Sequence, residues 1–64
     1  MKLTYDRETD SLYIDLVNRP SVDSCEVMED IVLDFDAQGR LVGIDIDHAS
    51  RKVELPRLVP EAKG

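Results

Sequence analysis

The chain has 64 residues and a mass of 7.2 kDa, which suffices for one small domain and excludes a multidomain enzyme. Hydrophobic residues make up 42% and charged residues 34%, a balance typical of a globular protein rather than a disordered one. Eight Lys and Arg against fourteen Asp and Glu give a formal net charge of -6, which disfavours nucleic acid and anionic membrane surfaces and favours a basic partner protein.

Neither a membrane-spanning run nor an N-terminal signal peptide is recognisable in the sequence. The longest apolar run is Ile31-Val32-Leu33, whereas a membrane span needs roughly 18 residues. Cys25 is the single cysteine, while secreted proteins of this size normally carry several disulfides. We therefore expect a cytoplasmic protein in which Cys25, with no Lys or Arg beside it, is a buried small hydrophobic residue and not a reactive thiol.

The first predicted element is a β-hairpin. Residues 1–5 alternate apolar and polar, residues 6–10 are rich in turn formers, and residues 12–16 resume the alternation. The register that gathers apolar residues on one face and an opposite-charge pair on the other pairs Tyr5 with Leu12, Leu3 with Ile14, Lys2 with Asp15 and Thr4 with Tyr13.

A third and a fourth strand are predicted next. After a segment that contains Pro20, residues 24–27 form a third alternating stretch. A three-residue loop, Met28-Glu29-Asp30, keeps Cys25 and Val27 on the face of the following strand, provided that Asp30 adopts a left-handed conformation. The fourth strand runs from residue 31 to about residue 35.

The fifth strand, residues 41–46, has the clearest alternation and follows a turn over residues 36–40. A two-residue loop at Gln38-Gly39 is preferred because it pairs apolar residues, namely Phe35 with Val42, Leu33 with Ile44 and Ile31 with Ile46. A four-residue loop keeps the same faces. A three-residue bulged loop is rejected because it would put Phe35 on the face of Leu41, Gly43 and Asp45.

From His48 the period becomes helical. Ala49 and Val53 are four residues apart, Asp47 is available as an N-cap, and Pro56 ends a helix of about two turns. The predicted fold class is α+β, mostly β: an antiparallel meander of about five strands followed by one short C-terminal helix. We expect residues 1–56 to form a single β-rich domain and residues 57–64 to be an extended or frayed tail.

One face of the predicted sheet is apolar throughout and broad. It comprises Leu3, Tyr5, Leu12, Ile14, Leu16, Cys25, Val27, Ile31, Leu33, Phe35, Val42, Ile44 and Ile46. Five strands span roughly 24 Å, whereas one helix is about 10 Å across and covers about two strands. Either the sheet curls on itself or a second copy closes it, and we expect a homodimer with an isologous contact.

Five segments resemble a family of short prokaryotic proteins known as domain of unknown function 2283. They are Lys2-Leu3-Thr4-Tyr5-Asp6, Asp10-Ser11-Leu12-Tyr13-Ile14, Val32-Leu33-Asp34-Phe35-Asp36, Gly39-Arg40-Leu41-Val42-Gly43-Ile44 and Ala49-Ser50. The resemblance covers about residues 2 to 54. It implies a small β-meander with a C-terminal helix and brings no established activity, cofactor or catalytic residue. Members of such families often lie beside small toxin-like proteins, which suggests an antidote or regulator.

The chain departs from the family pattern at three positions. Asp30 stands where glycine suits the loop better, Gln38 precedes Gly39 where Asp or Asn is commoner, and His48 occupies the usual capping position. The helix start is therefore open by one residue, between Asp47 and His48.

An acidic row on the second face of the sheet offers the candidate metal ligands. These candidates are Asp34, Asp36, Asp45, Asp47 and His48. Their spacing matches no calcium loop, and a single His lacks a second nitrogen ligand. A charge row on a half-exposed sheet is usually a solvated face that discourages aggregation, so no metal, cofactor or catalytic residue is expected.

The leading hypothesis is a non-enzymatic protein-interaction or regulatory module. His48 is the single histidine, and it lies far in sequence from Cys25, which the predicted sheet points into its apolar side. We expect a homodimer that binds a basic partner protein, and the sharper form of this hypothesis is an antidote toward a basic toxin-like neighbour. The alternative is a protein that binds a divalent cation or small ligand on the acidic face.

Overall fold

The computed structural model describes residues 1–59 as one five-stranded antiparallel sheet with two short helices. The elements are β1 (Lys2–Asp6), β2 (Ser11–Asp15), β3 (Asp23–Met28), β4 (Ile31–Phe35), β5 (Leu41–Asp47), α1 (Ala49–Lys52) and α2 (Leu55–Leu58). The predicted class, mostly β with five antiparallel strands, is confirmed.

The order of the strands across the sheet is β1-β2-β5-β4-β3. The chain therefore forms a hairpin and a three-stranded meander, and β5 joins them by pairing with both β2 and β4. The connection over residues 16–22 passes the ends of β5 and β4. There the Leu16 amide donates to the Val42 carbonyl and the Val22 amide to the Phe35 carbonyl, both at 2.9 Å. Alternation fixes the period of a strand and not its neighbours, so it does not predict this order.

The predicted register of the first hairpin is confirmed in every pair. The pairs are Tyr5 with Leu12, Leu3 with Ile14, Lys2 with Asp15 and Thr4 with Tyr13. The apolar rows continue into β5, where Leu12 lies opposite Ile46 and Ile14 opposite Ile44. Complementary pairs on both faces leave no competing register with the same contacts.

The loop between β3 and β4 is Glu29-Asp30, one residue shorter than predicted. Asp30 has the predicted left-handed conformation, with φ 72°. The register shifts between Glu26 and Met28, so Val27 is an extra residue in β3. The loop is one residue shorter than predicted, and the bulge adds one residue to β3, so the two changes cancel. Cys25 therefore lies opposite Leu33 as expected.

Two of the three predicted pairs between β4 and β5 are confirmed, Leu33 with Ile44 and Ile31 with Ile46. The third is wrong, because Phe35 lies opposite Leu41 and Val42 is an extra residue in β5.

The turn before β5 explains this difference. The Asp36 amide donates to the Arg40 carbonyl at 2.9 Å, which encloses the three-residue loop that the sequence argument rejects. Gly39 takes the left-handed position of that loop, with φ 79°. A three-residue loop shifts the phase by one residue, and the bulge at Val42 shifts it back. Leu33 and Ile31 therefore still lie opposite Ile44 and Ile46, although Phe35 lies opposite Leu41.

The predicted single helix is wrong, because Val53 and Glu54 separate α1 from α2. Of the two capping residues that the sequence leaves open, Asp47 and His48, the structure has His48 as the N-cap of α1, in a left-handed conformation with φ 53° and without a side-chain capping bond. Pro56 lies in the first turn of α2 and does not end a helix, because that turn leaves its amides unbonded. The boundary predicted after residue 56 falls inside α2, and residues 60–64 lie outside the described part of the chain.

Both helices pack on the apolar face of the sheet. Leu12, Ile46, Ala49 and Leu55 form the buried cluster, against which pack the partly buried residues Leu3, Tyr5, Ile14, Ile31, Ile44, Val53 and Val59. Of the predicted apolar face, Leu12, Val42 and Ile46 are buried, Cys25 and Val27 are exposed, and the others are half-buried. The helices thus cover the part of the face formed by β1, β2 and β5, together with Ile31 of β4.

Candidate functional site

The face of the sheet opposite the helices is strongly acidic. The strand registers place carboxylates from all five strands on this surface, which we call the acidic face: Asp6, Asp15, Glu26, Asp34, Asp45 and Asp47. Lys2, on the same face, is the only basic residue within the described strands. Like charges at this density repel one another and create a negative potential over the sheet, which attracts cations and basic proteins.

Tyr13 lies near the centre of the acidic face and crosses over Gly43. A Cβ atom at Gly43 would collide with the Tyr13 hydroxyl group and ring. The hydroxyl donates to Asp34 Oδ2 at 3.1 Å, and Ser24 donates to Asp34 Oδ1 at 2.8 Å. Burial and then this hydrogen bond raise the pKa of Tyr13. The phenol is thus held flat against the sheet by its bond to Asp34.

Asp45, directly opposite Tyr13 in the sheet, is the carboxylate on this face with a raised pKa. Burial is the main cause, followed by the charges of Asp47 and Asp34. Asp47 accepts a hydrogen bond from Ser11 at 3.1 Å. A cation placed over Asp45 would relieve the repulsion that raises its pKa, so binding of a positive group is electrostatically favourable here.

Asp36, one of the candidate metal ligands, has a structural role. It is 6% exposed; its Oδ1 accepts the amides of Gln38 and Arg40, both at 2.9 Å, and its Oδ2 lies 3.3 Å from Arg19 Nη1. The backbone hydrogen bond from Arg40 is the main cause that lowers the pKa of Asp36. This carboxylate fixes the turn before β5 and ties the connection between β2 and β3 to it.

His48, like Asp36, is a candidate metal ligand that lies outside the acidic face, and its side chain contacts Asp30. Its Nδ1 lies 3.0 Å from Asp30 Oδ2, and the Asp47 amide donates to the Asp30 carbonyl at 2.8 Å. The structure therefore keeps Asp34, Asp45 and Asp47 on one face and separates Asp36 and His48 from them. Within residues 1–59, no group of three or more His, Cys, Asp or Glu side chains is arranged to hold a metal ion.

Asp10, which the sequence argument assigns only to a turn, connects three parts of the molecule. It has a left-handed conformation with φ 56°, and its Oδ1 accepts the Tyr5 hydroxyl at 2.6 Å. The same carboxylate accepts hydrogen bonds from the amide and the hydroxyl of Ser50, and the backbone carbonyl of Asp10 accepts one from the Ala49 amide. The hydrogen bond with Tyr5 is the main cause that lowers the pKa of Asp10. Asp10 and Ser50 lie forty residues apart in sequence, so the sequence spacing gives no sign of their contact.

Cys25 is exposed and not buried, which corrects the sequence expectation. Its face is the predicted one, but β3 is an edge strand on which all six residues are exposed. Its Sγ lies 4.0 Å from the Glu26 carbonyl, while His48 is engaged with Asp30. The structure brings no described base to this thiol.

A comparison with family models finds one match: a model described as a protein of unknown function, DUF2283, matches residues 2–50. The matched segment includes all five strands. No curated protein and no solved structure matches the chain. The two described helices have four residues each, and neither has the length or apolar character needed to span a membrane.

Proposed function

Since the chain belongs to the DUF2283 family, a family of unknown function, we propose from its surface chemistry that it is a non-enzymatic interaction module whose acidic face binds a basic partner protein. The observation that supports this proposal is the concentration of carboxylates on one uncovered sheet face with a single Lys among them. Tyr13 adds a flat aromatic surface at its centre, of the kind that is enriched in protein interfaces. We place this activity in the cytoplasm.

A charged partner would approach this face quickly and bind in a salt-dependent way. Long-range attraction raises association rates at low ionic strength, and salt screens it over a Debye length. The repulsion at Asp45 falls when a Lys or Arg side chain pairs with it. The same charges oppose a nucleic-acid backbone.

A basic peptide rich in Lys and Arg is a direct probe of the acidic face, with an acidic peptide of equal length as the control. We expect its addition to the full chain to shift the amide resonances of Tyr13, Glu26 and Asp45 in NMR spectra. We expect the amides of α1 and α2 to shift less. Resonance shifts confined to the helices would contradict the proposal.

Matched variants distinguish the effect of the acidic face on binding from the effect of the total net charge. Asp15→Asn with Asp45→Asn removes two charges from the acidic face, whereas Glu8→Gln with Glu54→Gln removes two exposed charges outside it. We expect the first pair of substitutions to weaken peptide binding by about threefold to tenfold and the second to weaken it less. An equal loss in both variants would mean that the peptide responds to total charge and not to this face.

The sharper form of the proposal is an antidote toward a small basic toxin-like protein. A gene for such a protein beside this one would identify the candidate, and co-expression should then relieve its toxicity. The acidic-face variant should relieve it less than the variant outside the face. If the neighbouring genes encode no small basic protein, this form is rejected.

The divalent-cation alternative stays a prediction with its own test. Thermal unfolding in the presence of calcium, magnesium, zinc or manganese measures whether the native state binds the ion, because such binding raises the melting temperature. An unchanged melting temperature at millimolar metal would remove the alternative.

A further inference from the structure

Part of the apolar face has no cover in the described chain. The buried cluster beneath the helices and the residues packed on it do not include Cys25, Val27, Leu33 or Phe35. Val27 and its neighbour Met28 are 52% and 53% exposed. We call these five residues, Cys25, Val27, Met28, Leu33 and Phe35, the open patch. It lies on β3 and β4, beside the helices and not beneath them.

The charges around the open patch and on the helices are opposite in sign. Residues 20–39 contain no Lys or Arg, and β3 with its following loop carries exposed carboxylates at Asp23, Glu26 and Glu29. The helical segment carries three exposed basic residues, Arg51, Lys52 and Arg57, with Glu54 as its acidic residue. The chain therefore has a surface that complements its own edge strand.

We infer that two copies pack open patch against open patch around a two-fold axis, so that β3 of each copy lies beside α1 and α2 of the other. Sheets that pack face to face lie about 10 Å apart, and a helix that packs on a sheet occupies a layer of similar thickness. The sheet of the partner thus lies in the same layer as α1 and α2, next to them, on the apolar face of the first copy. Leu58, 44% exposed on α2, lies at the border of this layer.

Edge-to-edge pairing of two β3 strands is the competing arrangement. It would bring the carboxylates at Asp23, Glu26 and Glu29 of two copies into one short antiparallel ladder, and charged residues on an edge strand oppose such pairing. Packing on the helices instead puts Asp23 and Glu29, which do not belong to the acidic face, near basic side chains. The two-fold arrangement does not use the acidic face, so it is independent of the proposed basic partner.

Two charge-reversal variants of the full chain test the arrangement. The helix variant carries Arg51→Glu and Arg57→Glu, and the strand variant carries Asp23→Lys and Glu29→Lys. Sedimentation velocity over a range of concentrations should show a dimer for the native chain and a dissociation constant raised by about tenfold or more for each variant. An equimolar mixture should recover the dimer, because both contacts of the mixed dimer then join opposite charges.

Control measurements distinguish the loss of the contact between copies from unfolding and from a change in net charge. Circular dichroism and thermal melting of each variant verify the fold. Lys2→Glu with Arg7→Glu gives the same net charge as the helix variant at the far edge of the sheet and should leave the dimer intact. The strand variant moves the net charge toward zero, so weaker association cannot come from overall repulsion.

Three outcomes would overturn the inference. A native chain that stays monomeric at its highest soluble concentration excludes the dimer. A helix variant that dimerises like the native chain indicates edge pairing or another surface. Two folded variants that stay monomeric when mixed show that the reversed charges do not face each other.

Discussion

Asp10 accepts hydrogen bonds from Tyr5 and Ser50 while its own backbone is left-handed. Because its folded pKa lies below the ordinary value of 3.8, its contribution to stability is present above that value and is lost as pH falls through the folded pKa. We expect Asp10→Asn to lower the urea midpoint at neutral pH and to flatten its decline in acid. Urea unfolding from pH 7 to pH 2 measures both effects. Parallel pH profiles for the variant and the native chain would contradict this role.

Asp45 affects stability in the opposite direction to Asp10. Its pKa is raised above 3.8 by burial and by neighbouring carboxylates, so its ionised form destabilises the native state above the folded pKa, and this penalty disappears below the unfolded pKa. Asp45→Asn is therefore expected to raise the free energy of unfolding at pH 7 and to give no gain in strong acid. Asp6→Asn removes the same charge at the edge strand and is the control. A loss of stability at pH 7 would show that the carboxylate has a structural role.

Gly43 is needed because Tyr13 covers it. The Cβ of Gly43→Ala would displace the phenol from Asp34, and we expect a loss of about 1 to 2 kcal/mol in the free energy of unfolding. In a Tyr13→Ala background the same substitution should cost much less. Chemical denaturation of the four chains in this cycle measures the coupling. Equal costs in both backgrounds would show that another neighbour sets the requirement for glycine.

Residue contacts were predictable where they follow from a local register. The pairing of Lys2 with Asp15 comes directly from alternation across a short turn. The contact of Asp10 with Ser50 depends on where the chain places α1 after β5 joins β2, and the sequence near either residue carries no trace of it. Of the predicted acidic row, Asp34, Asp45 and Asp47 lie on the acidic face and Asp36 does not, while the raised pKa of Asp45 depends first on its burial.

At the scale of elements, loops and bulges compensate for one another. The turn before β5 depends on Gly39, whose φ is 79° and whose Cβ position is open space. Gly39→Ala is therefore a test of backbone conformation alone, and we expect a loss of about 1 kcal/mol. Gly39→Asn should lose less, because Asn tolerates the left-handed region. Thermal or urea unfolding compares the two variants, and equal losses would exclude this explanation.

The bulge at Val42 shows why loop length was hard to predict. The apolar pattern requires Leu33 of β4 to share a face with Ile44 of β5, but several combinations of loop and bulge meet that requirement. The structure selects one because the Asp36 carboxylate accepts the amides of Gln38 and Arg40, which stabilises a three-residue loop. The predicted single helix is wrong for a related reason: Pro56 is compatible with the first turn of a helix as well as with its end.

The whole molecule is a sheet with two different faces and two different edges. β5 is the central strand, with two strands on each side of it, so its amides should exchange with solvent most slowly. Amides of β3 should exchange faster in dilute solution and become more protected as protein concentration rises, if β3 lies at a contact between copies. Hydrogen exchange at two concentrations measures this. A β5 that exchanges as fast as β3 would contradict the central position.

The central place of β5 also has a consequence for synthesis on the ribosome. Of the five described strands β5 is the last to be translated, and it lies between two hairpin-forming segments that are translated before it. A nascent chain that ends after β4 has both outer parts of the sheet but lacks the strand that unites them. The sheet can therefore close only after β5 emerges from the ribosome, and until then the nascent chain has two unjoined halves.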